Sequence, residues 1–263
     1  MASDTEGEAN LEFSGIFQEP EGFLPPPKPA TFTEHRMLSG TTLPVRHVGD
    51  HPLYGNLLWN AGKTVAHYLE EHAAEWVEGK DILELGAAAG VPSMVSSIKG
   101  ARTVVVTDYP DPDLVENMRI NGTACEPLIN GSSPLKVEGY KWGDSPEIVL
   151  GHLPSPSAGF DVLILADVIY NHPQHHNLIA SVQKTLKRSP DAVAFVVFTP
   201  YQPWLFDKIV AFFPLAESSG FVVTKIFENT TDRPLFENDP GDETLRKTVF
   251  GYELKWKLEE LNK

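Results

Sequence analysis

The stretch Ile82-Leu83-Glu84-Leu85-Gly86-Ala87-Ala88-Ala89-Gly90 decides how the chain is read. A short apolar run that closes in small residues and passes into a helical pattern reads as a buried strand turning tightly into a helix. Small side chains at the end of such a strand let a ligand touch backbone at the crevice of an α/β sheet. A tight turn that binds nothing would look the same. Twenty-two residues beyond Gly86, the next strand-like run, Val104-Val105-Val106-Thr107, ends in Asp108. A carboxylate there suits ribose hydroxyls, with a ligand-free strand-end acid as the alternative.

From residue 49 onward strand-like and helix-like segments alternate. Runs 81–86, 103–107, 160–166 and 192–199 are short, apolar and rich in β-branched residues, the mark of parallel strands buried on both faces. Segments 61–76, 91–99, 111–121, 173–186 and 204–218 read as helices, several opening at Pro or Asp as helix starts prefer. The alternation predicts a doubly wound α/β sheet with helices on both faces. Segments 221–227 and 248–256 follow without a helix between them and predict an antiparallel hairpin at one edge.

The chain has 263 residues, of which 21 are Lys or Arg and 36 are Asp or Glu, a net charge of −15. That length supports one α/β domain. The charge argues against nucleic acid as a direct partner. Cys125 is the single cysteine, so no intrachain disulfide forms and the expected setting is reducing and cytoplasmic. The longest apolar run, 192–198, is too short to cross a bilayer, and no membrane role is expected. Residues 1–35 hold seven acids against Lys28 alone, with five prolines, which predicts an acidic arm over 1–40 ahead of a domain over 41–263. Phe13, Phe17, Phe23 and Phe32 leave open whether part of the arm docks or helps hold a substrate.

Gly86-x-Ala88-x-Gly90, with Glu84 ahead of it, departs from the Gly-x-Gly-x-x-Gly of dinucleotide oxidoreductases and resembles the S-adenosylmethionine site of seven-β-strand methyltransferases. The segment 54–62 (Tyr-Gly-Asn-Leu-Leu-Trp-Asn-Ala-Gly), Lys141-Trp142-Gly143-Asp144 and Ala166-Asp167-Val168-Ile169-Tyr170 recur together in one branch, and over about residues 40–256 the chain resembles methyltransferase family 16. The resemblance implies a Rossmann-like, seven-stranded, mostly parallel sheet and S-adenosyl-L-methionine as cofactor. It implies that Gly86, Ala87 and Ala88 cradle the methionine part, Asp108 takes the ribose hydroxyls, and Trp59, Trp142 and Ala166 contact the cofactor, with Trp142 beside the adenine. Ala88 stands where the family's middle glycine would be. The branch includes protein lysine methyltransferases, and the substrate the resemblance implies is translation elongation factor 1A, at its N-terminal amine and adjacent lysine; the chain is expected to be a monomer.

Asp167 and Tyr170 are the expected target-side residues. A carboxylate can orient an amine by hydrogen bonding, and an aromatic wall disfavours the ammonium and holds methylated products through its face. The plainer reading makes Asp167 a helix cap and Tyr170, Trp59 and Trp142 packing residues. A small-molecule acceptor such as nicotinamide, or a non-catalytic cofactor- or partner-binding module, are the competing functions. His172, His175 and His176 lack partner cysteines, so no metal is expected. Cys125 has no basic neighbour in sequence and is not expected to act as a nucleophile.

Overall fold

In the strands Val162–Ala166 (β6) and Val193–Phe198 (β7) successive side chains point to opposite faces, and both faces are apolar. Val162, Ile164, Val193, Phe195 and Val197 pack on one side with Ala61, Val65 and Leu69, while Leu163, Leu165, Ala194, Val196 and Phe198 pack on the other with Leu178, Val182 and Phe212. A sheet covered by helices on both faces follows directly from that pattern. The computed structural model describes residues 28–129, 135–155 and 159–262; Phe13, Phe17 and Phe23, and with them the docking expected of the arm, lie outside this set.

The other elements are strands Thr31–Arg36 (β1), Thr42–His47 (β2), Asp81–Leu85 (β3), Thr103–Asp108 (β4), Lys136–Gly139 (β5), Phe221–Thr230 (β8) and Thr248–Trp256 (β9). The helices are Asn60–Glu71 (α1), Ala73–Trp76 (α2), Val91–Ile98 (α3), Pro112–Cys125 (α4), Glu147–Leu150 (α5), His175–Thr185 (α6), Phe206–Val210 (α7), Phe212–Ser218 (α8) and Glu243–Arg246 (α9). The seven-stranded sheet has the order β5-β4-β3-β6-β7-β9-β8. Strands β5 to β7 run parallel, and β9 pairs antiparallel with both β7 and β8. From β3 the chain builds to one side through β4 and β5, then crosses to β6 and β7 on the other. This reversal opens a crevice at the carboxyl ends of β3 and β6, where ligands bind in open α/β sheets.

Several details differ from the sequence reading, which placed no element at β1, β2, β5 or α5. The expected helix over 204–218 breaks at Ala211, because Pro214 has no N–H for the Val210 carbonyl and its ring crowds that group. The expected helix over 61–76 is divided at His72, whose ring bonds the Tyr68 carbonyl and stacks on the Tyr68 ring. Between β8 and β9 lies the one-turn helix α9, where none was expected.

The β1–β2 hairpin forms a second, two-stranded sheet that straddles residue 40. Met37, Leu43 and Val45 pack on Ala66 of α1 and on Met94 and Val95 of α3. Buried Glu70 of α1 accepts from the Leu38 and Ser39 amides and so fastens the hairpin turn to the domain.

Candidate active site

The crevice is a cleft of about 690 Å³, and Trp59, Gly86, Ala87, Ala88, Asp108, Trp142, Ala166, Asp167 and Tyr170 all line it. Its two ends are built by different means.

At one end the backbone of 86–90 turns through three residues of positive φ: Gly86 at 73°, Ala88 at 51° and Gly90 at 74°. A Cβ on Gly86 would lie 2.7 Å from Val168 Cγ1 and 3.0 Å from Trp142 Cζ2, so only glycine fits against these two side chains. The Gly86 and Ala87 amides both donate to the Thr107 carbonyl, at 2.9 and 3.0 Å. The Ala88 amide donates to Asp108 Oδ2 at 2.7 Å, and the Tyr109 amide to Oδ1 at 2.7 Å. Asp108 thus braces the loop with one bond per oxygen and keeps acceptor capacity for hydroxyls. Desolvation holds its carboxyl above the usual range despite these bonds. Behind the loop, Glu84 on β3 accepts from the amide and hydroxyl of Ser93 in the first turn of α3. Burial pushes Glu84 up to about 8.

At the other end Asp167 follows β6 with φ of 51°. Its Oδ1 accepts from the Thr199 amide at 2.8 Å, and its Oδ2 accepts from the Ala61 amide at 3.1 Å and the Tyr201 hydroxyl at 3.5 Å. The Tyr201 oxygen in turn accepts from the Asn60 amide at 3.0 Å. Trp59, the residue before α1, offers no side-chain cap, so Asp167 and Tyr201 serve the first amides of a helix distant in sequence, where the dipole favours an anion. Desolvation in this recess outweighs the three donors and the positive charge of Lys63, and pushes the Asp167 carboxyl up to about 7.

Around Asp167 the rings close into a wall. Trp59 lies 5.0 Å from Tyr201 and 5.9 Å from Phe236, Tyr201 lies 5.8 Å from Phe236, and Tyr54 meets Tyr170 edge-on at 5.8 Å. The Trp59 indole N–H donates to the Tyr54 carbonyl at 2.9 Å, which satisfies the one polar group of the ring. Tyr170, pushed up to about 12 by burial and by Asp108, Tyr54 and Asp167 nearby, stays a neutral phenol. A backbone cradle with a braced acid, opening onto neutral aromatic rings, suits a nucleoside-bearing cation at one end and an amine at the other.

The family model for lysine methyltransferases matches residues 41–200. The chain belongs to the lysine methyltransferase family. It is 63% identical over 250 residues to the protein N-terminal and lysine N-methyltransferase efm7 of Aspergillus fumigatus, covering 95% of this chain and 96% of that one. To the enzyme of the same name in Schizosaccharomyces pombe it is 39% identical, covering 93% and 96%. Among solved structures, a provisionally assigned S-adenosylmethionine-dependent methyltransferase of Streptococcus mutans superposes with a TM-score of 0.56 at 12% identity, over 86% of this chain and 55% of that one. This likeness shows the fold, and the chain spans little more than half of that longer protein. As a lysine methyltransferase of this fold the protein takes its methyl group from S-adenosylmethionine, and the backbone cradle, acid and aromatic walls fit that cofactor.

The expected residues therefore share one cleft, and the lysine methyltransferase fold adds others. Glu84, Tyr54, Tyr201, Phe236 and Asp239 line it too. Tyr201 sits just past the carboxyl end of β7, a position that marks it for the crevice of an α/β sheet. Phe236 and Asp239 lie on the long connection between β8 and β9, and nothing local in the sequence points to them.

The remaining candidates lie elsewhere. His175 turns inward to the Ile169 carbonyl at 2.7 Å, and among the described residues no three ligating side chains gather as for a metal. Cys125 is buried, bonds the Gly122 carbonyl at 3.1 Å, and is pushed up to about 11 by burial, a state that keeps it a thiol. No helix among the described residues is long and apolar enough to cross a membrane.

Proposed function

We propose that this methyltransferase moves methyl groups from S-adenosylmethionine to the N-terminal amine and the adjacent lysine of translation elongation factor 1A. The observation that carries an amine target is the aromatic wall set around a recessed carboxylate, with Trp59, Tyr201 and Phe236 within 6 Å of one another beside Asp167. The bound cofactor supplies a methyl group already activated on a sulfonium, so the chain's share is position and a dry surrounding.

On this reading Gly86, Ala87 and Ala88 hold the methionine portion, Asp108 accepts from the ribose hydroxyls, Trp142 flanks the adenine, and Trp59 and Ala166 border the reacting end. A lysine amine has a pKa of about 10.4 and a terminal amine one of about 8, so the target must shed its proton before it can attack. Rings that exclude water disfavour the ammonium and help it do so. Asp167 offers the amine the acceptor site left on Oδ1, which orients the nitrogen lone pair, and Tyr170 supplies the facing wall. Products remain cationic and stay against the ring faces.

The choice of elongation factor 1A rests on the resemblance carried by 54–62, 141–144 and 166–170, and on the likeness to fungal enzymes named for N-terminal and lysine methylation. On this reading the protein acts in the cytoplasm, as a monomer, on a protein tail, with no nucleic acid or membrane involved. The test offers purified protein, with a labelled methyl on the cofactor, a peptide bearing a free α-amine followed by lysine and, separately, nicotinamide. Label on the peptide alone is expected. Label on nicotinamide alone would overturn the protein target, and label on neither, with cofactor bound, would overturn catalysis.

A further inference from the structure

The connection between β8 and β9, residues 231–247, is far longer than the two to five residues a hairpin needs. It is held at several points. The Thr231 amide donates to the Lys247 carbonyl at 2.8 Å and closes its base. The buried Arg246 guanidinium donates to the Phe236 carbonyl at 2.6 Å. Gly241, with φ of 94°, lets the chain pass so near Pro203 that a Cβ would lie 3.2 Å from its ring. The limb built in this way sets Phe236 against Trp59 and Tyr201 and brings Asp239 to the rim of the same cleft.

Four carboxylates line the cleft, and three are engaged. Glu84 is taken by Ser93, Asp108 by the Ala88 and Tyr109 amides, and Asp167 by Ala61, Thr199 and Tyr201. Asp239 is exposed and has no ion pair among the described residues, although its neighbours are matched, Arg233 with Glu237 and Lys247 with Glu243. A protein tail with a free α-amine and a lysine next to it carries two positive charges on residues whose Cα atoms are about 3.8 Å apart. While one nitrogen occupies the aromatic recess, the other must emerge at its rim.

We propose that Asp239, presented with Phe236 on the β8–β9 limb, is the anionic anchor for the second cation of the target tail, the amine that is not being methylated. This deepens the reading of the site as a protein-amine methyltransferase and rests on it. One anchor outside the reacting recess lets two neighbouring amines exchange places: each takes the anchor while the other reacts.

The test is calorimetric titration of S-adenosylhomocysteine-loaded protein with two peptides, one carrying a free α-amine followed by lysine and one with norleucine in place of that lysine. Asp239→Asn is expected to weaken the doubly charged peptide roughly tenfold and to leave the norleucine peptide within about twofold. Added salt should narrow the wild-type difference between the peptides, and KM for the doubly charged peptide should rise with kcat nearly unchanged. Equal affinity of wild type and variant for that peptide would overturn the proposal, as would equal loss on both peptides or failure of wild type to bind either. Wild type that binds the peptides with this discrimination yet transfers no methyl would overturn the proposed function and leave the anchor standing.

Discussion

At the end of the cleft proposed for the cofactor, consecutive residues over 86–90 and one acid, Asp108, shape the surface through backbone conformation. At the end proposed for the target, Tyr54 and Trp59 from before α1, Tyr170, Tyr201 and Phe236 of the β8–β9 limb arrive from four separate stretches and shape it through side chains. The first end is a local device that any chain of this fold can carry. The second exists only once β6, β7, α1 and the limb are packed, and Asp167 ties three of these together. Cofactor binding and target turnover should therefore respond to different residues.

The sharpest break is Asp167→Ala. Loss of the carboxylate releases the Ala61 and Thr199 amides and the Tyr201 hydroxyl, and turnover of the amine peptide should fall ~100-fold through misplacement of the target, while calorimetry shows cofactor affinity within about twofold. The same residue gives a pH signature. Because its carboxyl sits up at about 7, kcat/KM should climb as it ionises through that pH, and Asp167→Asn should leave only the limb set by the target amine.

Asp108→Ala should act at the opposite end, weakening the cofactor by roughly ten- to a hundredfold in the same titration, with a smaller loss of turnover at saturating cofactor. Equal cofactor loss in both variants would erase the division between the ends.

Glu84→Gln sharpens the comparison through stability. A carboxyl raised from 4.5 to about 8 by burial favours the fold fully below its unfolded pKa, and that contribution is lost as pH rises through its folded one, at about 1.4 kcal/mol per pH unit in between. Denaturant titrations from pH 5 to 8 should show wild type losing stability more steeply than Glu84→Gln, and parallel curves would refute this. The smallest effect belongs to Ala88→Gly. Ala88 holds a left-handed conformation at φ of 51°, and glycine there should raise stability by less than about 1 kcal/mol in thermal unfolding, with cofactor affinity kept.

The same contrast explains what was legible in the sequence. The strand, small-residue turn and helix at 82–98, and Asp108 closing the next strand, are encoded in adjacent residues. So are the apolar runs that became β6 and β7 and the antiparallel β8–β9 edge. The β1–β2 hairpin was hidden because its strand buries His35 and exposes Phe32, the reverse of the usual pattern, within a stretch whose prolines and acids read as an arm. Phe236 and Asp239 were hidden because their place in the cleft depends on a limb fixed by the buried Arg246 and by the approach of Gly241 to Pro203. The resemblance brought Asp167 and Tyr170 forward, but the bonds from Asp167 to α1 and to the turn after β7 are tertiary and have no local signature.

The most direct test of the account is intact-mass and peptide mass spectrometry of unmethylated elongation factor 1A after incubation with this protein and S-adenosylmethionine, with Asp167→Ala alongside. Mass steps of one methyl unit confined to the first residues of the factor, and absent with the variant, are predicted. An unmodified factor, or steps that persist with Asp167→Ala, would contradict it.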